Sequence, residues 1–336
     1  MYSVNPSIFY SHGLSFAKET AQRFPRQIIT WAGFKTLASI ILIPYGLYKL
    51  VNSLALALIV PAAYRTAPKL SERFVRLRVP VEGVGSIEAI IMRFSSEASS
   101  KWLLRANGNG ELYEDLLRIY DSRSRYVLHP TLQHMRTLSP NLVLFNYPGV
   151  GNSEGTPTPD KMQKAYRAVL SYIENELKAD EIIGYGFSLG GGVQATALVD
   201  HQLKDNVKYV FTQDRSFSSL SNAATGIFPS FMSPLVKRLI WGLGLEMDSA
   251  KAIQKVGPNR FIILQKGLPA QGERKAQTLD DGVITEQAAL SKVEGLHERT
   301  ILISEQHCEN LSQESFLQLN AQVNEILSQQ NPILSE

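Results

Sequence analysis

A chain of 336 residues is long enough for one large α/β domain and an appended segment. Apolar residues make up 44% of the sequence and charged residues 19%, a globular balance that argues against extensive disorder. The net charge of +3 lacks the clustered excess that nucleic-acid binding requires, and a single cysteine excludes both an intrachain disulfide framework and a CxxC-type metal site.

The first 69 residues are the predicted N-terminal segment, which is apolar over residues 34–64. It opens without the basic and apolar regions of a secretory signal, so we expect an intracellular or membrane-associated protein. Delivery to a host cell is a further hypothesis. Lys49 interrupts the apolar run, and Pro44 and Pro61 would bend or end a helix. Three outcomes stay open: a bent helical pair at a membrane interface, the same pair packed on the rest of the protein, and a true membrane span.

Residues 70–330 are predicted to form the second domain. Apolar and polar residues alternate at 73–83 and at 86–94, which is typical of two antiparallel strands joined by a turn. Continuous apolar runs bounded by Gly and Pro follow, as expected for strands buried on both faces of a parallel sheet. These runs cover residues 102–106, 141–148, 181–187, 207–213, 260–266 and 299–304.

Helical patterns separate the predicted strands, at residues 158–178, 189–203, 285–296 and 310–328. This alternation predicts a mainly parallel sheet of eight strands flanked by helices. Residues 216–258, after the sixth strand, are unusually long for a connection and rich in large apolar residues, so we expect a helical, cap-like insertion. Four of its residues could line an acyl pocket, or could simply pack within a helical cap: Phe228, Phe231, Met232 and Trp241.

The strongest local signal is the run Gly186–Gly190, GFSLG, which two further glycines follow. It comes directly after a predicted strand and before a helical pattern, the context that a nucleophile elbow requires. A serine at such a turn needs strained backbone angles, and flanking glycines remove side chains that would collide with strand and helix. The following helix directs its N-terminal amides at developing negative charge. We predict Ser188 as a nucleophile; the alternative is an ordinary glycine-rich turn.

Three further segments resemble motifs of the α/β-hydrolases, in the monoacylglycerol-lipase and prolyl-peptidase-like branch. The run 145–158 is similar to the segment after their fourth strand, 103–115 to the oxyanion segment after the third, and 212–220 to the stretch after the sixth. The resemblance covers residues 74–328 and implies an α/β-hydrolase fold. The chain is also similar to hydrolase-like proteins of chlamydiae and other intracellular bacteria, which carry an apolar N-terminal segment as well.

The resemblance implies a general base late in the chain, after the last strand. Five of the six histidines fit poorly, because they precede Ser188, follow it too closely or come before that strand: His12, His129, His134, His201 and His297. His307 lies between the last predicted strand and the final helix, where the family has its histidine. We predict His307 as the base; an ordinary surface histidine beside Cys308 is the alternative.

The resemblance places the acid after the seventh strand, in a D-G-x-V or D-E-x-V pattern. Asp281 begins such a pattern but lies fifteen residues beyond Lys266, so the loop would carry an insertion. We predict that Asp281 orients the histidine and stabilises its protonated form. Asp280, Glu273 and Asp214 remain substitutes, and capping of the helix predicted at 285–296 is an alternative for the two adjacent aspartates.

The oxyanion hole is expected to use the backbone amides of Asn109 and Leu189. Since backbone N–H groups require no particular side chain, this expectation tolerates substitution at both positions. One departure from the family pattern is Asn107, which stands where the family has a histidine that supports the loop. A simple glycine turn between strand and helix is the alternative.

Together these residues predict a serine hydrolase that cleaves a carboxylic ester through an acyl-enzyme, without metal or organic cofactor. The apolar stretch 216–248 and the N-terminal segment favour a lipid or fatty-acyl ester as substrate, with a membrane surface as second partner through residues 34–64. Two alternatives remain: an acyl-protein or acyl thioesterase on the same fold, and a non-catalytic, membrane-anchored scaffold that binds a protein.

Overall fold

The computed structural model describes residues 60–67, 74–95, 98–117, 129–226, 228, 230–269 and 275–330. The chain divides into two compact units, residues 1–64 and 65–336. Of the first unit only residues 60–64 are described, and these include the 3-10 helix Pro61–Tyr64. The predictions for residues 34–64 therefore lie almost entirely outside the described residues. Within the described ranges, no helix combines the length and the apolar character needed to cross a membrane.

The second unit is built on a mixed sheet of nine strands. These are β1 (Val75–Val81), β2 (Gly85–Arg93), β3 (Lys101–Ala106), β4 (Asn141–Phe145), β5 (Glu181–Phe187), β6 (Lys208–Asp214), β7 (Phe261–Leu268), β8 (Gln277–Thr278) and β9 (Thr300–Ile303). Eight strands follow the order β1-β2-β4-β3-β5-β6-β7-β9. The β1–β2 and β2–β4 pairs are antiparallel, whereas every pair from β4 to β9 is parallel. The predicted eight-stranded, mainly parallel sheet is confirmed, and the two-residue β8 is an addition that pairs antiparallel with β7.

Eight α-helices lie in the described part of this unit. These are α1 (Tyr113–Leu116), α2 (Pro130–Leu138), α3 (Pro159–Asn175), α4 (Leu189–Leu198), α5 (Leu220–Thr225), α6 (Ser233–Gly242), α7 (Ser249–Val256) and α8 (Gln313–Gln329). Several begin at residues suited to a helix start: Pro159 occupies the first turn of α3, and the side chain of Ser312 accepts a hydrogen bond from the Ser315 amide at the start of α8. The segment 216–258 forms α5, α6 and α7 with a 3-10 turn, Ser230–Met232, so the insertion is helical.

Helices cover both faces of the sheet, which explains why the central strands are apolar along their whole length. On one face, buried side chains of the strands pack in a cluster with Leu132 of α2 and Leu319 of α8. On the other face, Gly184 of β5 leaves room for Tyr166 of α3 and Gln194 of α4, each of which would lie within 3 Å of an added Cβ. The loops that follow the carboxyl ends of the parallel strands lie together on one side of the sheet, and a site can form there.

The prediction of a helix at residues 285–296 is wrong. The structure has only two 3-10 turns there, Glu286–Ala288 and Leu290–Lys292, separated by the extended residue Ala289. Ala289 forms an isolated antiparallel bridge with Phe217, and the Ser218 amide donates to the Ala288 carbonyl over 2.7 Å. Pairing with the chain after β6 thus outweighs the local helical pattern.

Candidate active site

Ser188 lies in a sharp turn between β5 and α4. Its backbone angles, φ 51° and ψ −117°, fall in a region that residues with side chains rarely adopt. The turn is compact enough that a Cβ on Gly186 would lie 2.6 Å from the Cα of Gly191, and a Cβ on Gly190 would lie 2.2 Å from the Ala106 carbonyl oxygen. The two glycines that flank the serine are therefore required by space, as the sequence motif implied.

The side chains of Ser188, His307 and Asp281 form one hydrogen-bonded chain. The Nε2 atom of His307 lies 2.9 Å from the Oγ atom of Ser188, and its Nδ1 atom lies 2.9 Å from Oδ2 of Asp281. The exposed fractions of the three residues are 7% for the serine, 6% for the histidine and 1% for the aspartate. Because an ionised carboxylate only accepts hydrogen bonds, Nδ1 carries the proton in this arrangement, and Nε2 is left to accept from the serine hydroxyl.

The short strand β8 explains how Asp281 reaches the histidine despite the long loop after β7. β8 pairs back onto the end of β7, and the Leu279 amide donates to the Lys266 carbonyl over 2.9 Å. The pairing of residues 277–279 with the end of β7 thus brings Asp281 close to the end of that strand. Its backbone carbonyl also accepts from the His307 amide, 2.8 Å away, which joins the two loops directly.

The carboxylate of Asp281 is held in its charged form. Burial alone would raise its pKa, but the hydrogen bond and the charge of His307 act in the opposite direction. The amides of Ile284 and Val283 add to this effect, since they donate to Oδ1 over 2.7 and 3.0 Å. The net result is a pKa for Asp281 below the ordinary value, so the group is a carboxylate at neutral pH.

The loop after β3 lies beside the nucleophile turn and is braced by a buried ion pair. The guanidinium of Arg105 donates to both carboxylate oxygens of Glu111, at 2.9 and 3.0 Å, and to the side-chain oxygen of Asn107 at 2.6 Å. Glu111 accepts in turn from the Gly108 amide over 2.7 Å. The side-chain amide of Asn107 also donates to the Phe145 carbonyl, so it ties the loop to β4.

The two amides predicted for the oxyanion hole belong to the loop after β3 and to the first turn of α4. Asn109 is exposed at the tip of the loop, and Leu189 opens helix α4. Within the part of the chain that the structure describes, neither N–H is seen to donate to a protein acceptor.

The other residues considered as acid or base have side chains outside the hydrogen-bonded chain of Ser188, His307 and Asp281. Asp280 accepts from the Gly282 amide, Asp214 is paired with the neighbouring Arg215, and Glu273 falls outside the described residues. No helix starts after the two adjacent aspartates, so the capping alternative for Asp280 and Asp281 is wrong. His129, His134, His201 and His297 make contacts elsewhere, with His201 bound to Glu174 over 2.9 Å.

The side chains predicted for an acyl pocket are largely exposed. Phe231 and Trp241 are 82% and 78% accessible, Phe228 is also exposed, and Met232 is half-buried. Phe231 and Trp241 thus face solvent and do not enclose a pocket. Among the described residues, no group of three or more His, Cys, Asp or Glu side chains is arranged so that it could hold a metal ion.

Sequence reasoning missed two buried arginines next to the triad, Arg105 and Arg215. Arg105 is the penultimate residue of the buried strand β3, and Arg215 directly follows β6. A charged residue in such a position is a signal that a partner must be present. For Arg105 the partner, Glu111, is six residues away and could have been paired from the sequence. The partners of Arg215 include residues about ninety positions later, which no local pattern reveals.

The strand order, the glycine-flanked serine turn at the end of β5 and the late histidine define an α/β-hydrolase fold. The structure is similar to an esterase of Pyrococcus furiosus (TM-score 0.50, 14% identity, covering 79% of this chain and 96% of the other) and to an α/β hydrolase of Vibrio vulnificus (TM-score 0.51, 14% identity, covering 79% and 89%).

Within that fold, the chain belongs to the family described as Chlamydia CHLPS protein (DUF818), whose sequence model matches residues 76–328. The predicted resemblance to chlamydial hydrolase-like proteins is thereby confirmed, whereas the monoacylglycerol-lipase and prolyl-peptidase-like branch stays a prediction. A comparison with curated proteins finds no match.

Proposed function

We propose that this protein is a serine hydrolase that cleaves carboxylic esters, with Ser188 as the nucleophile. The observation that carries the proposal is the unbroken chain of hydrogen bonds from the Ser188 hydroxyl through His307 to Asp281, built on a strained serine turn. Strain at a residue with a side chain is retained only where the surroundings enforce it, and such positions cluster at functional sites.

In the proposed reaction Oγ of Ser188 attacks the ester carbonyl carbon while its proton moves to Nε2 of His307. The amides of Asn109 and Leu189 stabilise the negative oxygen of the tetrahedral intermediate. As the intermediate collapses, His307 returns the proton to the leaving alcohol oxygen, and the acyl group remains on Ser188. Water then attacks the acyl carbon of the acyl-enzyme while one of its protons moves to Nε2 of His307. When the bond between the acyl carbon and Oγ breaks, His307 passes this proton to Oγ, so the carboxylic acid leaves and the free serine is restored.

Labelling by a fluorophosphonate probe tests this proposal. The wild-type chain should react at Ser188 and should hydrolyse p-nitrophenyl esters, whereas Ser188→Ala should do neither. Ser304→Ala is a matched control outside the triad, and it should label as the wild type does. A folded wild-type chain that fails to label would favour the non-catalytic scaffold.

We propose lipid or fatty-acyl esters as the substrate class. The exposed apolar side chains of Phe231, Leu235 and Trp241 support it, because they all fall within residues 231–241 of the insertion. A concentration of exposed large apolar side chains is typical of a surface that contacts an apolar ligand or interface. Rates on p-nitrophenyl esters of increasing chain length test the class, with kcat/KM rising from acetate to longer acyl groups. An acyl thioester preferred over the matched oxyester would favour the thioesterase alternative.

Membrane association through residues 34–64 is a further part of the proposal, supported by their apolar sequence. Deletion of residues 1–69 should move the protein from the membrane pellet to the soluble fraction. A pellet unchanged by the deletion would contradict this role.

A further inference from the structure

Arg215 occupies an unusual position directly after β6. Its φ of 46° lies in the left-handed region, although it is neither glycine nor asparagine, and its side chain is only 3% exposed. A left-handed backbone is strained for a residue with a side chain, and burial of an unpaired guanidinium is more unfavourable still. Compensating contacts must therefore hold this residue in place.

One half of the guanidinium pairs with the preceding residue, Asp214. Nε donates to Oδ1 over 2.8 Å and Nη2 donates to Oδ2 over 3.0 Å, which is a bidentate pair. The hydroxyl of Tyr185, on β5, donates to Oδ2 as well, over 2.6 Å. Burial lowers the pKa of Arg215, but the charge of Asp214 outweighs it and raises the pKa above its ordinary value, so the group stays charged.

The other half of the guanidinium holds the loop that carries His307. Nη1 donates to the carbonyl oxygens of Gln306 and Glu309, at 2.5 and 2.7 Å. These carbonyls lie one residue before and two residues after the histidine. The backbone is thus fixed on both sides of the imidazole by one planar group whose position is set by β6.

Arg215 also contacts the residue that precedes the nucleophile. Its guanidinium carbon lies 5.3 Å from the ring centroid of Phe187, and that ring lies 5.3 Å from the imidazole of His307. The Ser188 amide donates to the Asp214 carbonyl over 2.9 Å. The Asp214–Arg215 pair therefore contacts both the turn that carries Ser188 and the loop that carries His307. It links the two segments whose side chains meet in the 2.9 Å contact between Oγ and Nε2.

We propose that Arg215 is a positioning residue, which acts on the reaction by holding the His307 loop at hydrogen-bonding distance from Ser188. The inference rests on the proposed hydrolase function and adds a component to it that touches no reacting atom. A displacement of about 1 Å in a catalytic group lowers the rate up to about a hundredfold. Loss of both carbonyl contacts should therefore reduce kcat roughly tenfold to a hundredfold, with little change in KM.

Two variants separate positioning from general stability. Arg215→Lys keeps a positive charge beside Asp214, but one ammonium cannot replace the planar fork that reaches two carbonyls as well. Asp214→Asn/Arg215→Met removes both charges together, so that no buried carboxylate is left unpaired. Arg136→Met, on the exposed side of α2, is the matched control and should keep the wild-type kcat.

The decisive experiment is a double-mutant cycle with His307→Ala, using p-nitrophenyl acetate as substrate and melting curves to correct for the folded fraction. If Arg215 acts through the histidine, each variant should lower kcat in the wild-type background and change the residual rate less than twofold when His307 is absent. An unchanged kcat in the wild-type background would overturn the proposal, and so would equal losses in both backgrounds.

A spectroscopic measurement keeps the inference separate from the proposed function. If the wild-type chain neither labels nor hydrolyses, the hydrolase proposal fails, but the low-field proton resonance of His307 Nδ1–H still reports the order of its loop. Arg215→Lys should broaden or abolish that resonance, whereas a signal identical to that of the wild type would overturn the positioning role.

Discussion

Two regions of the molecule, the loops that hold Ser188, His307 and Asp281 and the helix α6 of the 216–258 insertion, differ sharply in how they are packed. At the nucleophile turn the backbones of β3 and α4 approach so closely that Gly190 has no room for a Cβ. The triad side chains are buried and multiply hydrogen-bonded. On α6, by contrast, only Val236 and Ile240 are buried, while Leu235, Leu239 and Trp241 are exposed.

The difference separates two kinds of function. Precisely held groups determine which bond is broken, because hydrogen-bond geometry tolerates little displacement. A loosely packed apolar surface can adapt to many acyl chains but discriminates weakly, at about 1–3 kcal/mol per methylene at most. Changes in the triad loops should therefore affect every substrate alike, and changes on α6 should depend on acyl chain length.

The largest effect is expected from Asp281→Asn. The substitution removes the charge that sets the imidazole tautomer, so kcat should fall about 10⁴-fold for short and long esters alike. The adjacent Asp280→Asn is a matched control, because the new side chain can still accept from the Gly282 amide. Its kcat should stay within twofold of the wild type, and equal losses in the two variants would contradict the assignment of the acid.

A steric change at the nucleophile turn should act next most strongly. Gly190→Ala places a Cβ 2.2 Å from a backbone oxygen that cannot move aside, so the free energy of unfolding should fall by about 3 kcal/mol or more. Gly242→Ala adds the same atom to open space in α6 and should be neutral or stabilise by up to about 1 kcal/mol. Urea unfolding measures the free energy of unfolding of both variants. An unchanged stability of Gly190→Ala would contradict the claim that the turn has no room for a Cβ at this position.

A smaller and selective effect is expected on the cap. Phe231→Ser and Trp241→Ser should each lower kcat/KM for long-chain esters about threefold to tenfold, since a lost apolar contact is worth about 1 kcal/mol. Activity on p-nitrophenyl acetate should stay within twofold. Leu317→Ser, on the exposed face of α8, is a control for the loss of an exposed apolar side chain elsewhere. A loss independent of chain length would argue against an acyl-binding role for α6.

The eight main strands were predictable because each is a continuous or alternating apolar run with clear ends. The serine turn was predictable because its glycines serve a local steric need. Asp281 could be named from its motif, but its approach to His307 depends on β8, a two-residue pairing with no signal of its own. The false helix at 285–296 has the opposite cause, since a local pattern was overridden by a bridge to Phe217.

Arg215 shows most clearly what the sequence alone conceals. Its partners are the backbone carbonyls of residues 306 and 309, which every residue type carries. The side chains at these two positions therefore do not predict the contact. The arginine was visible only as part of a motif-like run after β6. Long-range contacts between side chain and backbone have no pattern in one sequence, which is why Arg215 was missed although Ser188, His307 and Asp281 could be named from local motifs.

The pH dependence of stability gives the smallest expected effect and the most direct test of the charge at the triad. Because the pKa of Asp281 is lower in the folded state than in the unfolded chain, its ionisation stabilises the fold above the unfolded value of about 4, and this contribution is lost as the pH falls through the folded value. In urea unfolding between about pH 6 and pH 3, Asp281→Asn should therefore lose stability less steeply than the wild type. His307→Ala should also flatten the slope, since it removes the hydrogen bond and the charge that lower this pKa. Trp241→Ser changes no ionisable group and should fall in parallel with the wild type, so a flattened slope in that variant would show that the pH response does not come from the triad.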